Sequence, residues 1–245
     1  MDFYKSVLNR ASVRNYDTSK PIRKEDYKKL IDAIKLAPTS SNWHSSSAIV
    51  IRDKKQLKQI ASLSKYTGAI ESCDMFVVFL ADYNRMNFAM KEYPEFEYNN
   101  HSIESYTVGV GDAFIQATML QDMAINLGYG TCFIGLVRAM TKELIGALNI
   151  KGQAFPVIGL TIGSKKEEPE VKPKLNRVFD GVYEIDKLEK DAKEYSDKIE
   201  KYYAKLNPDK PAWPYLKATI KSASSYQMQT EEVEKIWDID LITKK

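Results

Sequence analysis

Two stretches of this 245-residue chain are apolar almost without a break, Met75-Phe76-Val77-Val78-Phe79-Leu80 and Val157-Ile158-Gly159-Leu160-Thr161-Ile162. A strand with one wet face alternates polar and apolar residues, so an unbroken run marks a strand covered on both faces. These two runs are expected at the centre of a sheet. Ala48-Ile49-Val50-Ile51 and Thr131-Cys132-Phe133-Ile134 supply two further strands. Helical periodicity covers 24–36, 54–64 and 141–148, and a short helix is expected over 2–9. Residues 112–127 are apolar on most faces, which places that helix within the fold or between subunits. Residues 85–104 read as loop with some helix. Strands interleaved with helices make an α/β or α+β sheet with covered faces.

After Gly163 the composition changes. Ser164–Pro173 is charged and holds two prolines, the mark of an exposed loop. Then Ile185, Leu188, Ala192, Tyr195, Ile199, Tyr202 and Leu206 recur at alternating spacings of three and four. That is a heptad seam, and so narrow a stripe requires a partner helix. Prolines within 207–214 end it, and 215–245 is expected to be irregular with some helix.

Several function classes are excluded early. The 36 basic and 33 acidic residues leave a net charge of +3, which argues for neither a nucleic-acid nor a membrane partner. No apolar run approaches the ~18 residues of a membrane span. Met1–Lys5 does not open a secretory leader, so a soluble, cytoplasmic protein is expected. Two cysteines and two histidines, far apart, give neither a disulfide framework nor a metal site. The Gly-x-Ser-x-Gly and P-loop patterns are absent, and Gly128-Tyr129-Gly130 precedes a strand where a dinucleotide fingerprint must come after one.

Four loop segments carry what polar chemistry remains. In Arg10-Ala11-Ser12-Val13-Arg14 the polar residues alternate, so in an extended chain all three point one way. They can converge on an anion, or form a solvated basic turn. Pro38–Ser47 is dense in hydroxyls and can face a heterocycle or simply turn the chain. Gly130–Gly135 is a strand ending in glycine, open to close approach by a ligand or merely a strand end. Val171-Lys172-Pro173-Lys174-Leu175 places two lysines about a proline in what, alone, is a surface loop.

Taken together and in order, these segments resemble the nitroreductase family, and within it the branch of NADPH-dependent flavin reductases and oxygen-insensitive nitroreductases with a long C-terminal extension. The likeness rests on Arg10-Ala11-Ser12-Val13-Arg14-Asn15-Tyr16, Ala37-Pro38-Thr39-Ser40-Ser41-Asn42, Phe133-Ile134-Gly135 and Lys172-Pro173-Lys174. It implies an α+β fold with a central, mostly antiparallel sheet flanked by helices, in an intertwined homodimer. It implies an FMN-binding core over 1–181 and a helical extension over 182–245 that packs on the partner subunit and covers the site. By the same resemblance, Arg10, Ser12, Lys172 and Lys174 hold the FMN phosphate, and Arg14 lies by the ribityl chain and the N1/O2 edge. Thr39, Ser40 and Asn42 come from the other subunit to line the ring, and Ile134 and Gly135 present backbone to it. Thr67 stands where a glutamine often reaches the ring's carbonyl edge, so its contact is short or absent. Lys174 stands where arginine is common and lacks the bidentate fork.

The implied activity is ping-pong hydride transfer from NADPH or NADH to a small oxidised acceptor such as a nitroaromatic, a quinone or a free flavin. No catalytic side chain is named, because the cofactor carries the chemistry. Lys205, Lys210 and Lys217 give no arginine clamp for a 2′-phosphate. Trp43 is expected in the core, and His44 is expected as a hydrogen-bonded structural residue. The rivals are a dehalogenase, desaturase or ene-reductase on the same scaffold, a non-catalytic flavin-binding redox sensor, and an interaction module built on 185–206.

Overall fold

The computed structural model describes residues 2–239. These form two compact units, one of residues up to 169 together with those from 228 onward, the other of residues 170–227. The sequence reading divides the chain at 181/182; the contacts divide it at 169/170 and again at 227/228.

The first unit opens with α1 (Phe3–Leu8) and α2 (Lys24–Lys35), followed by β1 (Ser46–Ile51). Next come α3 (Lys54–Ala61), α4 (Gly68–Ser72) and β2 (Met75–Asp82). Then α5 (Asn84–Glu92) and the long α6 (Ile103–Asn126) lead to β3 (Gly130–Ile134), and α7 (Thr141–Leu148) leads to β4 (Ala154–Gly163). The sheet order is β1-β2-β4-β3, and every pairing is antiparallel. The two unbroken apolar runs are the two inner strands, as their composition requires.

Both faces of β2 are covered. Val77, Phe79 and Ala81 pack with Leu30 of α2 and Ala113, Ala117 and Leu120 of α6. Phe76, Val78 and Leu80 pack with Leu57 and Ile60 of α3, Ile70 of α4 and Leu144 of α7. β4 begins at Ala154, three residues before the strand expected from sequence. Pro156 hides this start, because proline cannot donate to a ladder. The sheet absorbs it at an irregularity between Phe79 and Leu80 of β2.

α6 likewise begins at Ile103, well before 112, and α5 is helix of the kind expected within 85–104. Gly109 and Gly111 mask the first turns of α6. At Gly109 a Cβ would meet Ala81 and Trp237 at 3.2 and 3.3 Å, so a close approach explains the glycine.

The second unit holds α8 (Ile185–Leu206) and α9 (Tyr215–Ala223). α8 spans the expected heptad seam end to end. Ile199 is buried and Tyr195 meets Tyr215 edge-on, while Ile185 and Leu206 stay exposed.

The chain then returns to the first unit as α10 (Thr230–Trp237). Residues 240–245, part of the tail read as irregular, lie outside the described residues. Trp237 is fully buried, its indole N–H donates to Ser105 Oγ (2.8 Å), and its ring meets Tyr83, Tyr106 and Phe155 edge-on. Removing so large a buried side chain leaves a cavity that the sheet cannot refill. Trp237→Ala is expected to destabilise the first unit by about 3–5 kcal/mol, read by urea unfolding followed by far-UV circular dichroism.

Candidate functional site

The basic segment near the N-terminus is laid along the sheet's edge. Ser12 forms a parallel bridge with Thr131, and the Val13 N–H donates to the Thr131 carbonyl (2.9 Å). The Tyr16 hydroxyl lies 2.9 Å from the Val13 carbonyl and 2.8 Å from Thr161 Oγ1. Burial holds its phenol far above the ordinary range, so it stays protonated. Val13 and Tyr16 are buried anchors, and the intervening residues face outward.

Arg10, Ser12 and Arg14 all lie near Cys132 of β3. All three act on the Cys132 thiol: burial raises its pKa, while Arg14, the Ser12 hydroxyl and Arg10 pull it back. Arg23, Arg52 and Arg85 each sit within ion-pair distance of an aspartate. Among the described residues, Arg10 and Arg14 have no such partner. Guanidinium and hydroxyl groups of this kind can offer an anion charge-assisted hydrogen bonds.

Ile134 ends β3, and Gly135 opens a 3-10 turn over Gly135–Ala139. A Cβ at Gly135 would stand 3.2 Å from the Arg138 guanidinium, whose Nη1 donates to the Val157 carbonyl (2.9 Å).

The hydroxyl-rich loop precedes β1, at the opposite edge of the sheet from β3. Ser41, Asn42 and His44 all adopt left-handed backbone, with φ of 46, 60 and 53°. For residues with a Cβ this conformation costs roughly 1–2 kcal/mol each, and such strain collects at functional loops. Asp112 of α6, 1% exposed, holds the loop together. Its carboxylate accepts from the Thr39 hydroxyl, from the Ser40 N–H (3.0 Å) and from the Ser45 N–H (3.1 Å). The Thr39 hydroxyl in turn accepts from the His44 N–H (3.0 Å). Ser40 and Asn42 side chains have no hydrogen-bond partner among the described residues.

The remaining expected site residues fall elsewhere. The Thr67 hydroxyl is turned inward, 2.5 Å from the Ala61 carbonyl and 3.2 Å from that of Ser64, so it serves the end of α3. Lys172 and Lys174 belong to the second unit. There Lys172 Nζ donates to the Tyr203 hydroxyl (2.7 Å), and the Tyr195 hydroxyl donates to the Pro173 carbonyl (3.1 Å), so α8 carries that segment. Lys174 borders a hollow with Asp191, Glu194 and Lys198. Trp43, expected in the core, is only half-buried and meets Tyr98 edge-on at 5.7 Å. His44 is exposed; its backbone is held at both ends, the carbonyl by Arg85 Nη1 (3.1 Å).

The family model for the nitroreductase family matches residues 7–164. The chain belongs to the nitroreductase family. A relative named FMN reductase (NAD(P)H) from Bacillus subtilis is 34% identical over 172 residues, 70% of this chain and 69% of its own length. One named Cr(VI) reductase from Pseudomonas sp. strain G-1 is 33% identical over 200 residues, 80% of this chain and 82% of its own. The solved structure of the hypothetical oxidoreductase YcnD from Bacillus subtilis superposes with a TM-score of 0.87 at 27% identity, covering 97% of this chain and 96% of that one. In this nitroreductase, then, the matched region takes in the basic segment, the strained loop and the end of β3.

One glycine controls the basic segment. A Cβ at Gly130 would stand 2.8 Å from a Val13 methyl, and Val13 is buried and cannot yield cheaply. Gly130→Ala is expected to cost about 1–3 kcal/mol and to speed amide exchange at Val13, measured by urea unfolding and hydrogen exchange.

Proposed function

We propose that this nitroreductase is an FMN-dependent NAD(P)H oxidoreductase that reduces nitroaromatics, quinones or free flavins. The observation that carries this reading is that Arg10, Ser12 and Arg14 all lie near Cys132 of β3, while neither arginine has a carboxylate at ion-pair distance among the described residues. Such a set suits a phosphate monoester, which accepts several charge-assisted hydrogen bonds. The relatives named FMN reductase and Cr(VI) reductase point to the same redox class.

The residues present fit FMN. Within the first unit, Arg10 and Ser12 would hold the phosphate. Arg14 would supply a fixed cation to the ribityl chain and the N1/O2 edge, where it stabilises negative charge. Ile134 and Gly135 offer backbone to the ring. Bound FMN supplies two-electron chemistry between a nicotinamide donor and an oxidised acceptor. The protein's part is to bind, orient and tune, so no side chain has to serve as acid or base.

A second copy of the chain completes the site. The 39–42 loop and the end of β3 stand at opposite edges of a four-stranded sheet, about 14 Å apart at the usual strand spacing. α6 exposes Phe114, Ile115 and Met119, and α1 exposes Phe3, Val7 and Leu8. An apolar face of this kind on a folded protein marks an association surface. A homodimer buries it and brings Ser40 and Asn42 of one copy to the ring held by the other. The exposed ends of the α8 seam fit the same assembly, as an extension packed on the partner. Two buried free thiols accord with a cytoplasmic setting.

The purified protein is expected to be yellow, or to become so with FMN, and to bleach anaerobically on NADPH or NADH. Colour should return on adding a quinone or nitroarene. Arg10→Ala is expected to weaken FMN binding about 10- to 100-fold, the loss of one or two charged hydrogen bonds, and to leave riboflavin binding nearly unchanged. Protein that takes up no flavin, or a variant that loses FMN and riboflavin equally, contradicts the assignment.

A further inference from the structure

We infer that Asp112 and Thr39 are a positioning pair, in which the buried carboxylate on α6 sets the 39–45 loop so that Ser40 and Asn42 meet FMN. Thr39 itself does not touch the cofactor. The inference rests on the FMN reading above and changes the role of one residue within it.

Asp112 is the odd residue of its surroundings. It lies between Gly111 and Ala113 on a helix otherwise packed against the apolar side of the sheet, and it is 1% exposed. A buried carboxylate is normally neutralised by a cation. Asp112 forms no ion pair among the described residues; its three donors, the Thr39 hydroxyl and the Ser40 and Ser45 N–H groups, all come from one loop. The charge therefore depends on the loop, and the loop on the charge.

The loop's other contacts show what is being held. Its exit is clamped, since the Ser45 carbonyl accepts from the Asp82 N–H (2.9 Å) and the His44 carbonyl from Arg85. Its apex carries the left-handed Ser41 and Asn42. A loop needed only to turn the chain would place glycine there. Instead the apex keeps polar side chains without partners, above a frame that leaves the Thr39 hydroxyl donating inward. Thr39 has one proton to donate, and Asp112 takes it. Asparagine at 112 offers one acceptor oxygen for three donors and sets an N–H₂ against N–H, so it cannot replace the carboxylate. α6 also carries Phe114 and Ile115 on its exposed side, so one helix fixes both the loop and the face proposed to meet the second copy.

The test uses full-length protein, stripped of flavin and reloaded, as wild type, D112N, T39V and T39S. FMN and riboflavin affinities are read by flavin fluorescence quenching, and amide exchange at Ser40 and Ser45 is tracked in the apoprotein. D112N and T39V are expected to lose about tenfold in affinity for FMN and riboflavin alike, since the loop faces the ring and not the phosphate. Exchange at Ser40 and Ser45 should quicken in D112N while far-UV circular dichroism and dimer mass stay unchanged. T39S, which restores the hydroxyl, should return affinity to within about twofold of wild type.

If D112N does not fold, T39V against T39S decides. A wild type that binds FMN and a T39V that binds it equally well overturn the pairing. So does T39V failing to fold, which makes the contact a folding element. A wild-type apoprotein that takes up no FMN removes the flavin reading itself, and is distinguished from failure of the pair alone by that lack of uptake.

Discussion

The site depends on one short piece of backbone pairing. The Val13 N–H donates to the Thr131 carbonyl, and this lays residues 10–16 along the edge of β3. Periodicity then sets the side chains: Val13 goes inward, and Arg10, Ser12 and Arg14 go outward together. Tyr16, buried and bonded to Val13 and Thr161, locks the register. Gly130 leaves the room that Val13 occupies. Without the pairing, two arginines would be ordinary solvated charges. With it, they are fixed beside a strand end and lack the aspartate partners that other arginines of the chain possess.

The sheet order imposes the second constraint. β1 and β3 are the outer strands, so the loop entering β1 and the turn leaving β3 are separated by the sheet's full width. On the proposed reading, one chain carries two half-sites at opposite edges. α6 lies across the sheet between them, bearing Asp112 toward the loop and an uncovered apolar row toward solvent. In the proposed homodimer, one helix sets both the loop geometry and the face that meets the second copy.

Much of this was legible in the residues. The inner strands were evident because burial on both faces removes the polar alternation that marks an outer strand. The Arg-x-Ser-x-Arg alternation was legible because an extended chain has period two. α8 could be traced from end to end because its seam has its own spacing. What stayed hidden depends on partners distant in sequence. Asp112 reads as one polar residue in an apolar helix until the loop 67 to 73 residues away is folded onto it. That the Thr39 hydroxyl donates to Asp112 and that of Thr67 to the Ala61 carbonyl shows only in the folded chain. Trp237 lies in a tail of weak pattern, and only the folded chain reveals that it closes the core. Pro156 disguises the first residues of β4, because a proline in an inner strand is admissible only at an irregularity.

Phosphorus NMR of the FMN-loaded protein tests whether the 10–14 segment holds a phosphate by fixed positive charge. A free phosphate monoester gains its second negative charge near pH ~6, and its resonance moves as it does so. Held by the Arg10 guanidinium and the Ser12 hydroxyl, the phosphate should remain a dianion, with a resonance that stays still from about pH 5.5 to 8. A bound resonance that titrates near pH ~6 like the free nucleotide would contradict the account.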